Sequence, residues 1–392
     1  MIPQYRERFN REFTPEKYEQ LKESLSKKSG VEINFRISES PVFLSQQFKD
    51  QLLDTCREIF NQIKKLPQER LQKIIPEKYN VPNDTSHPHF FCIDFGICQN
   101  EAGDIEPQLI ELQAFPSLFS FLKIYEETVC EVYPFLNELR NTHPSQDFMT
   151  ELKELIIGDE QPENVILLEI HPEKQKTAID FALTEQLLGI KTVCLTSIEK
   201  KGRKIYYNND GKLTEIKRIY NRVILEELDP LSLSASFDLR DDVDVKWLTH
   251  PNWFFKISKY ILPLLHHPLI PESYFLRDFP DHKNLKDFVL KPLFSLAGKG
   301  VNLNPTQEFI DSIQDKDNFI LQKKVEYAPV FKDIHNEYSK GEIRLLYIWK
   351  EGDENPVLME NLVRMTKSEM INSEFNKDKI WTGSSYAFFE KK

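Results

Sequence analysis

Glycine is scarce in this chain, 12 residues in 392. A fold built on many close backbone approaches is therefore excluded, and any spot where two glycines fall together stands out. Cysteine is sparse as well. The five cysteines (Cys56, Cys92, Cys98, Cys130 and Cys194) are odd in number and form no Cys-x-x-Cys pair. That pattern excludes a disulfide framework and a cysteine-based zinc site, and fits a reducing, cytoplasmic setting. Positive charge is in deficit, 51 Lys and Arg against 62 Asp and Glu for a net charge of -11, which excludes a non-specific nucleic-acid binder. Apolar runs fall far short of the roughly 20 residues a membrane helix needs. The start, Met1-Ile2-Pro3-Gln4-Tyr5-Arg6, is too charged for a secretory signal. There is no internal repeat and no low-complexity tract. What is present is a mixture of 40% hydrophobic and 29% charged residues, typical of a soluble globular chain long enough for two or three domains.

Periodicity divides the chain into four parts. Residues 1–86 read as a mainly helical N-terminal region, with Phe48, Leu52, Cys56, Ile59, Phe60 and Ile63 at helical spacing. Residues 87–150 open with two strands, 90–95 and 108–112, joined by a polar loop, and continue into a helix ending near Leu139. Residues 151–240 read as a strand–helix–strand unit: Val165-Ile166-Leu167-Leu168, then a helix over 177–188 stopped by Gly189, then Thr192-Val193-Cys194-Leu195. A hairpin around Asn208-Asn209-Asp210-Gly211 and a further strand over 216–225 follow. Residues 241–392 are helical over 253–265 and then rich in strands. The predicted class is α/β (α+β), with one Rossmann-like unit.

On a strand, side chains alternate faces, so Glu111 and Gln113 share one face while Ile110 and Leu112 take the other. Asp94 on the paired strand can reach the same face. Three oxygen ligands of this kind suit Mg²⁺; a solvated polar face on an amphipathic hairpin is the alternative. A strand at 287–290 delivers Lys291, after which Ser295, Gly298, Lys299 and Gly300 open a loop. Its glycines would let backbone N–H groups approach phosphate, with Lys291 as countercharge. A plain hairpin turn is equally open. The loop is no Walker A motif, since Gly-x-x-x-x-Gly-Lys-Ser/Thr is missing.

Together these stretches resemble the ATP-grasp superfamily. Asp94, then Glu111-Leu112-Gln113 with Pro116, is similar to the aspartate and Glu-x-Asn that end an ATP-grasp domain, with Gln113 standing where Asn is usual. Cys92 stands where many members carry an arginine, so another cation must neutralise the transferred phosphoryl. The magnesium strands precede the lysine strand, an order that resembles circularly permuted members such as the synthetase domain of glutathionylspermidine synthase. The resemblance covers about residues 88–392; residues 1–86 match nothing in it. It implies a Rossmann-like pre-ATP-grasp domain over 151–240, ATP and Mg²⁺ as cofactors, and Asp94, Glu111 and Gln113 as metal ligands. It further implies Lys259 and Lys291 on phosphate, a hinge at Gln322, Lys324, Val325 and Glu326 around adenine and ribose, and Arg364 or Arg344 at the acyl phosphate. Arg222, in a Tyr-x-Arg pattern, is implied to meet a substrate carboxylate. For Arg344 and Arg364 a surface ion pair, for Lys259 a solvated helix face, and for Thr382-Gly383-Ser384-Ser385 a turn stay open as alternatives. The implied activity is an ADP-forming carboxylate–amine ligase acting on small molecules, with a nucleotide-binding regulator without turnover or a small-molecule kinase as alternatives.

Overall fold

A computed structural model describes residues 2–139, 148–231, 233–295, 298–368, 376 and 378–390. The polar boundary at 141–147, and Leu296 and Ala297 of the glycine segment, lie outside the described residues.

At the centre is a six-stranded antiparallel sheet. Five of its strands lie in the order Gly383–Ser385, Val357–Thr366, Tyr338–Ile348, Phe90–Gln99, Ile105–Gln113, and the short Phe331–Lys332 also pairs with Tyr338–Ile348. Four of these carry the chemistry and are named here by it: the Asp94 strand (Phe90–Gln99), the Glu111 strand (Ile105–Gln113), the Arg344 strand (Tyr338–Ile348) and the Arg364 strand (Val357–Thr366). The expected pairing of the two arginine strands is present, with Arg344 opposite Leu362 and Glu342 opposite Arg364. Residues far apart in the chain thus sit side by side, Arg344 directly opposite Asp94.

Alternation along the Asp94 strand gives the sheet two apolar faces. Phe91, Ile93 and Phe95 join one core with the helix Gln46–Lys64. Phe90 and Cys92 join another with the helix Phe119–Val132. The first helix forms where the spacing predicts it: Ser45 caps it by accepting from the Phe48 N–H at 3.3 Å, and Phe48, Leu52, Cys56, Ile59, Phe60 and Ile63 are all buried. Phe60 meets Phe91 and Tyr347 edge-on at 5.2 and 4.9 Å, and truncating it to alanine would cost about 3–5 kcal/mol. The helices Pro3–Glu12 and Pro15–Ser29 share the second core with Phe119 and Tyr125. Strand Val42–Leu44 pairs in parallel with Ala387–Phe389. The N-terminal segment is therefore packed into both faces of the central sheet.

A second, four-stranded parallel sheet has the order Lys246–Leu248, Arg218–Asn221, Val165–Glu169, Lys191–Cys194. The helix Ala178–Leu188 connects its last two strands and ends at Gly189 in the left-handed region, φ 72°, as the glycine predicts. The strand expected over 216–225 is in fact divided. Lys212–Ile216 closes an antiparallel hairpin with Lys204–Asn209, and Arg218–Asn221 enters the parallel sheet. The switch falls at Lys217, whose N–H donates to Asn164 and whose carbonyl accepts from the Lys246 N–H, each at 2.8 Å. The helix expected over 253–265 is likewise interrupted: only Trp253–Lys256 is α-helical, Ser258 is extended, and Lys259–Leu264 is a 3₁₀ segment containing Pro263.

A third sheet is antiparallel, with Phe319–Lys323 between Ser273–Phe275 and the Lys291 strand, Phe288–Pro292. It is tied to the central sheet where Ala328 N–H donates to Ile97 O (2.9 Å) and Gln99 N–H to Glu326 O (3.1 Å). Among the described residues no helix is long and apolar enough to cross a membrane.

Candidate functional site between two sheets

The site begins with an irregularity in the hairpin. Asp94 faces Glu111, but Phe95 faces Leu109, so Ile110 is an extra residue on its strand. A bulge of this kind takes backbone groups out of the ladder. The Ile110 carbonyl accepts instead from Lys291 Nζ at 3.1 Å, and the Leu109 carbonyl from Gln322 Nε2 at 3.2 Å. Lys291 Nζ also donates to Gln322 Oε1 at 2.5 Å. Two side chains of the small sheet thereby grip the bulge of the large one.

Charged groups converge beside this grip. Arg344 donates to both carboxylate oxygens of Asp94, at 2.7 Å each. Arg364 Nη2 donates to Asp94 Oδ2 at 2.5 Å and to Glu342 Oε2 at 2.9 Å, and Tyr327 Oη donates to Glu342 Oε1. Glu111 Oε1 accepts from Gln113 Nε2 at 2.7 Å, while Oε2 lies 3.2 Å from Lys259 Nζ. Lys259 also donates to the Ser295 carbonyl at 2.6 Å. Its inward aim follows from the extended Ser258 that precedes it. Asp94 is 1% exposed and Lys259 5%, so surface ion pairing for the arginines and a solvated helix face for Lys259 are both set aside.

The electrostatics follow. Burial alone would raise the Glu111 carboxyl, but Lys259, Lys291 and both arginines pull it down to about 2. Burial lowers Lys291 to about 8, against the upward pull of Glu111. Burial raises Glu342, although Arg364 opposes it. Four cations thus face three carboxylates, one of them biased towards its neutral form. Within the same cluster, Arg364 Nε and Ser295 Oγ are buried and, among the described residues, without a hydrogen-bond partner. A small cavity of about 20 Å³ opens beside Ser295, lined in part by Gln113, Phe115, Ser258, Lys259, Phe294 and Ser295. That is room for about one water molecule.

Of the other residues singled out, Gly298 and Gly300 both have positive φ, 74° each. A Cβ at Gly300 would lie 2.8 Å from Pro292 Cγ, which explains glycine there; Lys299 between them is exposed. At the hinge, Gln322 is buried in the cluster, whereas Lys324 and Glu326 are exposed and Val325 is half-buried between them. Lys324 Nζ donates to Asn304 at 3.1 Å. Gly383–Ser385, expected as a turn, is instead the edge strand beside Arg364, with Ser384 opposite it.

Arg222 leaves the end of its parallel strand and donates to the carbonyls of Phe115 (3.3 Å) and Pro116 (2.7 Å), its guanidinium 4.8 Å above the Phe115 ring. Its Nε is buried and unpartnered among the described residues. Sequence reasoning missed two groups. Glu342 sits two residues before Arg344, the same-face spacing that a period-2 reading could have flagged. Glu169 ends the strand that lies between Lys191–Cys194 and Arg218–Asn221, where the strand order of the parallel sheet reverses, the place where such sheets bind ligands. Burial raises its carboxyl to about 7, opposed by the Ile170 N–H and by Arg222.

The donor set was tested against the magnesium ion that the resemblance implies. Both Asp94 oxygens are held by guanidinium groups, and both Glu111 oxygens face nitrogen donors. Among the described residues no group of three or more His, Cys, Asp or Glu is placed to hold a metal. As arranged, these residues do not fit a divalent ion.

No protein-family model and no curated protein sequence matches the chain. Among solved structures it is similar to a glutathione synthetase-like effector from Globodera pallida in its apo form, with 12% identity and a TM-score of 0.61. The match covers 95% of this chain and 96% of that one. The likeness is one of fold, and its coverage leaves too little of the chain aside for residues 1–86 to fall outside it.

Proposed function

We propose that this chain is an ATP-dependent, ADP-forming carboxylate–amine ligase on a circularly permuted ATP-grasp fold. The observation that carries this reading is the cluster in which four buried or half-buried cations (Lys259, Lys291, Arg344 and Arg364) outnumber their carboxylate partners at the seam of two sheets. A net positive, water-poor seam favours a polyanion, because Coulomb interactions there are far less screened than in solvent. In this reading Lys259 and Lys291 hold the phosphates, the glycine loop covers them, and Arg364 and Arg344 steady the charge of the transferred phosphoryl. The hinge residues Gln322, Lys324, Val325 and Glu326 border the base and ribose. Arg222, with Glu169 beside it, receives the acid substrate. Positioning and charge neutralisation supply the catalysis, since phosphoryl transfer asks little covalent chemistry of the protein. No step is assigned to magnesium, because its implied ligands are paired with cations.

The test is product analysis with a panel of carboxylates and hydroxylamine. Formation of ADP and a hydroxamate supports the ligase; AMP and pyrophosphate would exclude it. A second reading, a nucleotide-binding regulator without turnover, is favoured by the pinning of Asp94 between two arginines. It predicts saturable ATP binding with no ADP formed under any acid.

A further inference from the structure

The disagreement between the donor set and a metal ion has a positive side, and it rests on reading this cluster as the nucleotide site. A divalent ion at Asp94 and Glu111 would need their oxygens free and close to octahedral geometry. Asp94 instead accepts from Arg344 Nε and Nη2 at 2.7 Å and from Arg364 Nη2 at 2.5 Å. Guanidinium groups stay charged at any working pH, so they cannot yield the carboxylate by losing a proton. Gln113 turns its amide nitrogen onto Glu111, and Lys259 closes the other oxygen at 3.2 Å. An incoming cation would therefore meet two guanidiniums and an ammonium.

What the cluster has to spare is donors. Among the described residues Arg364 Nε and Ser295 Oγ are buried with nothing to donate to, and leaving such groups unmatched costs free energy that an anion would recover. Lys291, whose ammonium donates to Ile110 O and Gln322 Oε1 at the bulge, adds buried positive charge rather than a free donor. We propose that this site takes a nucleoside triphosphate as the free anion, with Arg344 and Arg364 supplying the neutralisation that a divalent ion would otherwise provide. Guanidinium forks suit this task, since they match phosphate oxygens in paired, planar hydrogen bonds.

The experiment is calorimetric titration of the full chain with ATP, once with EDTA and once with excess Mg²⁺. The expected result is binding in EDTA at least as tight as with magnesium. The variant pair Arg344→Gln and Arg364→Gln should lose about tenfold or more of the affinity in EDTA, the worth of a charge-assisted hydrogen bond, and retain more of it with magnesium. Because either variant could unfold, the two-buffer comparison on the unmodified chain stands by itself. Binding that appears only with Mg²⁺ would overturn the proposal while leaving the nucleotide site in place. No ATP binding in either buffer would overturn the nucleotide reading and this inference with it.

Discussion

The seam around Asp94 and the crevice around Glu169 each bury a carboxylate near an arginine, yet they settle its charge in opposite ways. At the seam, four cations crowd three acids and the Glu111 carboxyl falls to about 2. In the crevice, burial dominates and the Glu169 carboxyl rises to about 7 against the opposing pull of Arg222, whose Nη1 donates to the carbonyls of Phe115 and Pro116. The difference shows that proximity of an arginine does not by itself set a carboxylate's state; the balance of burial against all the nearby charges decides it. The Glu111 carboxyl is charged throughout the neutral range. The Glu169 carboxyl titrates within it.

The largest effect that would separate the two regions is removal of an arginine. Arg344→Met leaves Asp94 buried with only Arg364, and should lower unfolding free energy by about 3–5 kcal/mol, read as a urea midpoint shift. Arg222→Met removes hydrogen bonds to two carbonyls and should cost about 1–3 kcal/mol. Equal losses would dissolve the contrast.

Acid response is next in size. Glu111, depressed in the folded chain, contributes stability that is complete above pH 4.5 and lost as pH falls from 4.5 towards 2, on the order of 3 kcal/mol. Glu169 carries the opposite sign. Its raised carboxyl makes the fold most stable below pH 4.5 and less so as pH climbs from there towards 7, by about the same order. Denaturation curves across this range should therefore differ between variants: Glu169→Gln flattens the slope between pH 4.5 and 7, and Glu111→Gln flattens the loss below 4.5. A slope between 4.5 and 7 that survives Glu169→Gln would refute the assignment.

The smallest expected effect concerns the bridge between the regions. Phe115 lines the cavity beside Gln113 and also lies under the Arg222 guanidinium at 4.8 Å. A double-mutant cycle of Phe115→Ala and Arg222→Met should return a coupling of about 0.5–1 kcal/mol in urea unfolding. Zero coupling would mean the two regions share a wall and nothing more.

Much of the seam was legible because strand periodicity is simple. Glu111 and Gln113, two apart, had to share a face, and Lys291 had to end a short apolar run. Asp94 with Arg344 and Arg364 could be listed but not joined, since the pairing of residues 94 and 344 depends on sheet order, which no local pattern encodes. The bulge at Ile110 was invisible for the same reason: only the partner strand's register defines it. The single strand read over 216–225 is divided because nothing local in that segment marks the change of partner sheet at Lys217. The resemblance placed Asp94 and Glu111 with a metal, but the count of cations around them emerges only when four elements meet. Glu169, a lone acid after an apolar strand, had no sequence signal beyond its place at a strand's end.

The central claim is that the seam's cations, rather than the crevice, hold the phosphates of a nucleotide. The direct measurement is ATP affinity by calorimetry for the unmodified chain, Lys291→Met and Arg222→Met. The account predicts one site, weakened by about tenfold or more in Lys291→Met, as expected for losing a buried charged donor, and little changed in Arg222→Met. Unaltered affinity in Lys291→Met together with a loss in Arg222→Met would contradict it.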